Sequence, residues 1–131
     1  MVVDFSKLEL NKLIPIYLQI IRHVKMEILA GNAQDGFEMP SRRVLSTLLS
    51  VNPNTVQKAY KQMEEEGLII SYPGSKSIVV ANEENIIRIR QELISDEVLS
   101  FIKSARAMGF TLDQAKNVLD KYWDYKGKEV D

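Results

Sequence analysis

Apolar residues recur along this chain with two periods, and the changes between them mark out its elements. Ile14, Leu18, Ile21, Val24 and Ile28 follow a helical period, with Pro15 at the start and Gly31 at the stop, so the spacing predicts a first helix with these residues facing inward. Pro40 and Ser41 then open a shorter helix in which Val44, Leu45, Leu48 and Leu49 repeat at helical spacing and are expected to face a core. Ser41 is its N-cap. Asn52 is a second N-cap, and Pro53 sits at the first helical position, where its missing N–H costs little. The third helix carries a buried stripe of Val56, Ala59, Tyr60 and Met63 and ends at Gly67. Residues 68–72 and 77–80 are apolar and rich in β-branched side chains. Pro73, Gly74, Ser75 and Lys76 lie between them, which is a strand–turn–strand pattern.

Before the first helix, residues 4–12 lack clear periodicity and read as an extended lead-in. Residues 32–38, with Asp35 and Gly36 inside, read as a turn-rich connector. After Val80 the character changes. A polar hinge at residues 81–84 leads into a long helix reaching Met108, broken by Gly109. Thr111 and Gln114 form a capping-box signature for a last helix, expected to bury Leu112, Ala115, Val118, Leu119, Tyr122 and Trp123. The fold class is therefore mainly α with a small β-hairpin wing. A winged helix-turn-helix over residues 1–80 is expected to precede a two-helix module over residues 81–131.

The last two helices hold too many apolar residues to hide against each other. Ile94, Val98, Phe101, Ile102, Leu119, Tyr122 and Trp123 call for a further partner, and a second copy of the same chain is the commonest one. The module is expected to make a homodimer. The cluster of Tyr122, Trp123 and Tyr125 could also line a small-molecule pocket, but packing in a dimer core is the stronger reading. An effector is left unspecified.

At 131 residues the chain has room for one compact domain and a small appendage. Its net charge of −1 does not by itself suggest a nucleic-acid partner. The local pattern does. No acidic residue occurs between Glu38 and Glu64, whereas Arg42, Arg43, Lys58 and Lys61 all fall there. The exposed face of the third helix offers Asn54, Thr55 and Gln57 beside those cations, and amide side chains suit adenine edges. A small polar turn tipped by Lys76 can lie against a phosphate backbone. Together these features point to double-stranded DNA as the partner. The alternative is an architectural or protein-interaction winged helix that does not read sequence.

Catalytic chemistry has little to stand on. The absence of cysteine excludes disulfides and thiolate chemistry, and His23, the single histidine, lies in a helix already explained by packing. Glu64, Glu65 and Glu66 read as a solvated helix end. No enzyme activity, metal or cofactor is expected. With no signal peptide or long apolar span in view, the expected location is the cytoplasm, away from membranes, and the charged end after the last helix argues against truncation there.

The segments PIYLQIIRHVKMEILAG and PSRRVLSTLLSVNPNTVQKAYKQMEEEGLI, followed by a glycine wing, resemble the DNA-binding domain of the GntR family of bacterial transcription regulators over roughly residues 13–80. The tail, ending in ARAMGFTLDQAKNVLDKYW, is similar to the short dimerisation module of the YtrA subfamily. The resemblance implies that Arg43 grips the backbone, that Asn52, Asn54, Thr55 and Gln57 meet phosphates or base edges, and that Gly74 is the wing glycine. Three positions depart from the family habit: Pro53 stands where arginine is frequent, Val44 where glutamate is frequent, and Lys76 where the wing has a second glycine. The expected function is a homodimeric repressor on an inverted-repeat operator, and the resemblance to the YtrA subfamily implies a neighbouring membrane-transporter operon as a target.

Overall fold

Side-chain caps open most of the helices. The computed structural model describes residues 1–74 and 76–125, in the order α1 (Ile16–Leu29), α2 (Arg42–Leu49), α3 (Pro53–Glu65), β1 (Ile69–Tyr72), β2 (Lys76–Val79), α4 (Glu83–Ala107) and α5 (Leu112–Tyr122). Ser41 Oγ accepts the Val44 N–H at 3.1 Å to open α2, and Asn52 Oδ1 accepts the Asn54 N–H at 2.8 Å to open α3. Thr111 and Gln114 exchange both bonds of the capping box ahead of α5. Each cap satisfies donors that a helix start otherwise leaves unpaired, worth about 1 kcal/mol. Gly67, at φ +75°, turns the chain out of α3 into β1, a left-handed conformation that a side chain would disfavour.

The turn between α2 and α3 is made differently. Ser50 caps α2 at φ 55° and ψ 47°, and among the described residues it is the non-glycine residue in the left-handed region. Ser46 steadies this turn by donating its hydroxyl to the Val51 carbonyl at 2.7 Å.

α3 is the centre of the first packed unit, Met1–Gln91, with α1, α2 and β1 all packed against it. Val56, Ala59, Tyr60 and Met63 are fully buried there, against a core that includes Ile20, Val24, Leu45, Leu68, Ile69 and Val79. A fully buried aliphatic side chain contributes about 1.5–3 kcal/mol, so this stripe fixes α3 firmly.

Two helical stripes differ from the sequence expectation. Ile14 falls outside α1 and is exposed, as is Leu18 within it, and Gln19, Ile20 and Lys25 turn inward beside Ile21, Val24 and Ile28. Partners explain the two polar residues. Gln19 Nε2 donates to the carbonyls of Asn11 and Ile14, both at 2.8 Å, and Lys25 pairs with Glu66 at 3.1 Å. A buried polar group is tolerated when it is satisfied in this way. In α2, Val44 and Leu48 are more than half exposed, while Leu45 and Ser46 are buried. A helix of eight residues has a narrow inward face, and these two occupy it.

β1 and β2 pair antiparallel, from Ile69 opposite Val79 to Tyr72 opposite Lys76. The connector and the lead-in extend this ladder. Met39 N–H donates to Ser77 O at 2.9 Å and Val79 N–H to Phe37 O at 2.8 Å, and Val3 N–H donates in turn to Glu38 O at 2.9 Å. Val3 and Phe5 are thereby buried, so segments that look irregular in the sequence thicken the hairpin.

The contacts divide the chain between Gln91 and Glu92, within α4, later than the hinge read at residues 81–84. The first turns of α4 are fastened inside the first unit. Asn85 Nδ2 donates to Gly67 O at 2.9 Å and Val80 O at 2.7 Å, and Arg88 donates to Glu66 O at 2.6 Å. The second unit, Glu92–Asp131, holds the rest of α4 and all of α5, whose described residues include none that is buried.

Candidate nucleic-acid interface

Burying one face of α3 presents the other. Asn54, Gln57, Lys58 and Lys61 are exposed, and Thr55 is half-buried. Asn54, Thr55, Gln57 and Lys58 share the N-terminal half of α3, with Lys61 a turn further along, so amides and cations reach outward from a rigid support. Asn52 uses its side-chain oxygen as the cap of α3, and its amide nitrogen remains a donor at the same end. Lys58 lies with its ammonium 4.1 Å from the centre of the Tyr17 ring on α1, a cation–π contact that directs the side chain.

Arg43 stands in the first turn of α2, exposed, and no hydrogen bond or ion pair holds it among the described residues. It borders an open notch of about 380 Å³ together with Ser41, Arg42 and Val44. An arginine beside a helix N-terminus is well placed to receive a phosphate. In the wing, Gly74 has φ +90°, and Ser75 of the expected turn lies outside the described residues. Lys76 follows on β2, its ammonium 2.9 Å from Glu38.

The basic window read from the sequence is therefore not free of acid in space. Glu64 reaches from α3 to Arg42 on α2 at 2.9 Å, and just outside the window Glu38 reaches Lys76. Arg42 also lies 4.8 Å from the centre of the Tyr60 ring, and its Nε is buried without a partner among the described residues. Glu64 accepts a second bond from the Ser71 hydroxyl on β1, and Ser71 meets Ser77 of β2 at 2.9 Å. Tyr60 completes the cluster by donating to Pro40 O at 2.6 Å, and its burial pushes the phenol pKa above its ordinary value. Sequence reasoning missed this cluster. Its members are spread from Pro40 to Ser77, and only the packing of α3 brings them together.

His23 has a structural task. Its Nε2–H donates to Asp4 O at 2.8 Å and its ring lies 4.8 Å from that of Phe5, so it pins the lead-in to α1.

The second unit offers a surface of another kind. Ile94, Val98, Ile102, Leu119, Tyr122 and Trp123 are exposed, Trp123 by 81 %, and Phe101 is half-buried. An apolar groove of about 490 Å³ runs between α4 and α5, lined by Phe101, Ile102, Ala105, Arg106, Phe110, Thr111, Leu112 and Ala115. Of the aromatic cluster, Tyr122 and Tyr125 meet edge to face at 6.3 Å.

Residues 16–79 match the sequence profile of the bacterial regulatory proteins of the gntR family. The chain is 35 % identical over 101 residues to the HTH-type transcriptional repressor YtrA of Bacillus subtilis, covering 76 % of this chain and 78 % of that protein. The chain belongs to the GntR family. Solved members share the architecture. A GntR family regulator from Listeria monocytogenes superimposes with a TM-score of 0.78 at 27 % identity, covering 86 % of this chain and 98 % of that one. YtrA from Sulfolobus acidocaldarius, a GntR-family transcription factor, does so with a TM-score of 0.54 at 30 % identity, covering 74 % and 99 %. These relatives place the chain in the YtrA subfamily of GntR regulators. It is a DNA-binding transcriptional regulator and not an enzyme. No helix among the described residues is long and apolar enough to cross a membrane.

Proposed function

We propose that this GntR regulator is a cytoplasmic repressor that binds an inverted-repeat operator as a homodimer. The observation that carries the reading is the division of labour in α3, whose fully buried stripe holds a polar, cationic front rigidly outward. A helix of this kind enters the major groove with its N-terminal side chains at the base edges. Asn54, Thr55 and Gln57 read bases in this scheme. Asn52, Arg43, Lys58 and Lys61 hold the phosphates, and the wing brings Gly74 and Lys76 to the neighbouring backbone. Arg42 stands among these cations but is engaged with Glu64.

The apolar surface of residues 92–125 supports the dimer. Leaving it wet costs about 25 cal/mol per Å² of apolar area, and a two-fold pairing of α4 and α5 removes that cost. The same symmetry supplies two recognition helices. The name of the Bacillus relative, a transcriptional repressor, supports the sign of regulation.

Selection of bound duplexes from a random pool, with sedimentation of the same protein, tests the reading. The expected result is a two-fold symmetric motif with half-sites about one helical turn apart or a near multiple, bound by two chains. A monomer that binds one half-site tightly, or a pool that yields no motif, overturns it. Gln57→Ala or Asn54→Ala is expected to relax the preference at one position of each half-site, at a cost of about 1–3 kcal/mol.

A further inference from the structure

We propose that Glu64 withholds Arg42 from the phosphate backbone and so sets the sequence-blind part of DNA affinity. The proposal rests on the placement of α3 and the wing on DNA argued above, and adds a role for a carboxylate that makes no contact with DNA. One oxygen of Glu64 takes both the Arg42 guanidinium, at 2.9 Å, and the Ser71 hydroxyl. Recognition helix, α2 and wing strand are thus tied at a single atom. The face of the guanidinium is held as well, 4.8 Å from the centre of the Tyr60 ring, and that ring is fixed through its bond to Pro40 O.

The neighbouring pair shows why this one is a latch. Lys76 and Glu38 are 56 % and 43 % exposed, so water or a phosphate oxygen can replace the carboxylate readily. Arg42 and Glu64 are 27 % and 35 % exposed, and the arginine would have to leave both an ion pair and an aromatic face. A phosphate contact strengthens binding to every sequence alike, whereas base contacts discriminate. Neutralising Arg42 in place therefore lowers sequence-blind affinity and leaves a larger share of the binding to Asn54, Thr55 and Gln57. Arg43, one residue along, has no such carboxylate among the described residues and remains the cation offered at that helix start.

The test uses the full chain, titrated against its selected operator and a random-sequence duplex over a range of salt. Glu64→Ala frees Arg42 and is expected to steepen the salt dependence on random duplex by about one unit of slope. It should also raise affinity for the operator and for random duplex by about the same factor at moderate salt, because the added contact is blind to sequence. Glu65→Ala, on the same helix, makes the same change of charge without touching Arg42 and should give a clearly smaller effect. The double variant R42A/E64A keeps the net charge and should return to the wild-type slope. Glu64→Gln, which keeps an acceptor for Ser71, is read in the same way should circular dichroism show that Glu64→Ala has lost its fold. Equal effects of Glu64→Ala and Glu65→Ala overturn the proposal. So does an R42A/E64A slope shallower than wild type by one unit, because Arg42 would then touch a phosphate in the unmodified protein. A wild-type chain that binds no duplex overturns the DNA-binding placement itself, and is thereby told apart from these outcomes.

Discussion

Leu45 and Leu119 are the same residue in opposite surroundings. Leu45 is fully buried within its own unit, and so are the four apolar residues of α3 above it. Leu119 belongs to α5, a capped helix with no buried described residue, and is about half exposed. Both helices are well formed, so local signals built each of them. Burial separates them. The winged helix closes a core of its own within residues 1–91, whereas the helical pair makes its elements and leaves α5 without a buried described residue. A capped, amphipathic helix is evidence for an element, and only its burial says whether one chain completes it.

Four substitutions break or sharpen this contrast. The largest effect belongs to Leu45→Ala, which leaves a cavity in a closed core and is expected to cost about 2–5 kcal/mol in urea denaturation, whatever the protein concentration. A cost under about 1 kcal/mol would mean that the first unit is not closed. Leu119→Glu should be nearly silent in the stability of the winged helix but weaken the proposed dimer by about 2 kcal/mol, roughly thirtyfold in dissociation constant. Sedimentation equilibrium reads it, and an unchanged monomer–dimer balance would move the interface elsewhere.

Tyr60→Phe removes one buried bond to Pro40 O and is expected to cost about 1 kcal/mol near neutral pH. Its pH dependence has a definite sign. Burial raises the folded pKa above the ordinary value of 10.0, so the unfolded chain ionises first. The tyrosine's contribution is complete below about pH 10 and is lost as pH rises beyond it, so the gap between wild type and Tyr60→Phe should shrink in alkali. A gap that stays constant to the alkaline limit would place the ring in water. The smallest effect is that of Arg43→Ala, which should make the salt slope for DNA shallower by about one unit, about a fourfold change between 50 and 200 mM salt. An unchanged slope removes Arg43 from the contact.

How far the sequence reaches follows the same division. Caps, breakers and the stripe of α3 were legible because each is set within a few residues: Ser41, Asn52, Pro53, Gly67 and Thr111 all act on their neighbours. The inward turn of Gln19 and Lys25 was not, because it depends on carbonyls at Asn11 and Ile14 and on Glu66 beyond α3. Val44 and Leu48 misled for the complementary reason, since periodicity names a face without saying whether anything covers it. For the residues proposed to face DNA, charge along the chain singled out Arg43, Lys58 and Lys61 but could not show that Glu64 folds back onto Arg42. Type of side chain was readable, and its pairing was a property of the packed unit.

Ser50 carries a consequence for engineering. An L-residue held in the left-handed region crowds its own Cβ against the backbone, at roughly 1 kcal/mol. Glycine would relieve that crowding while gaining freedom in the unfolded chain, so the two effects partly offset and the net gain is about 0–1 kcal/mol. The substitution would alter no side chain proposed to meet a base or a phosphate. The helix-turn-helix thus holds a reserve of stability at its corner, and a tougher scaffold for redesigned recognition residues can be drawn from a single atom group that the binding face does not use.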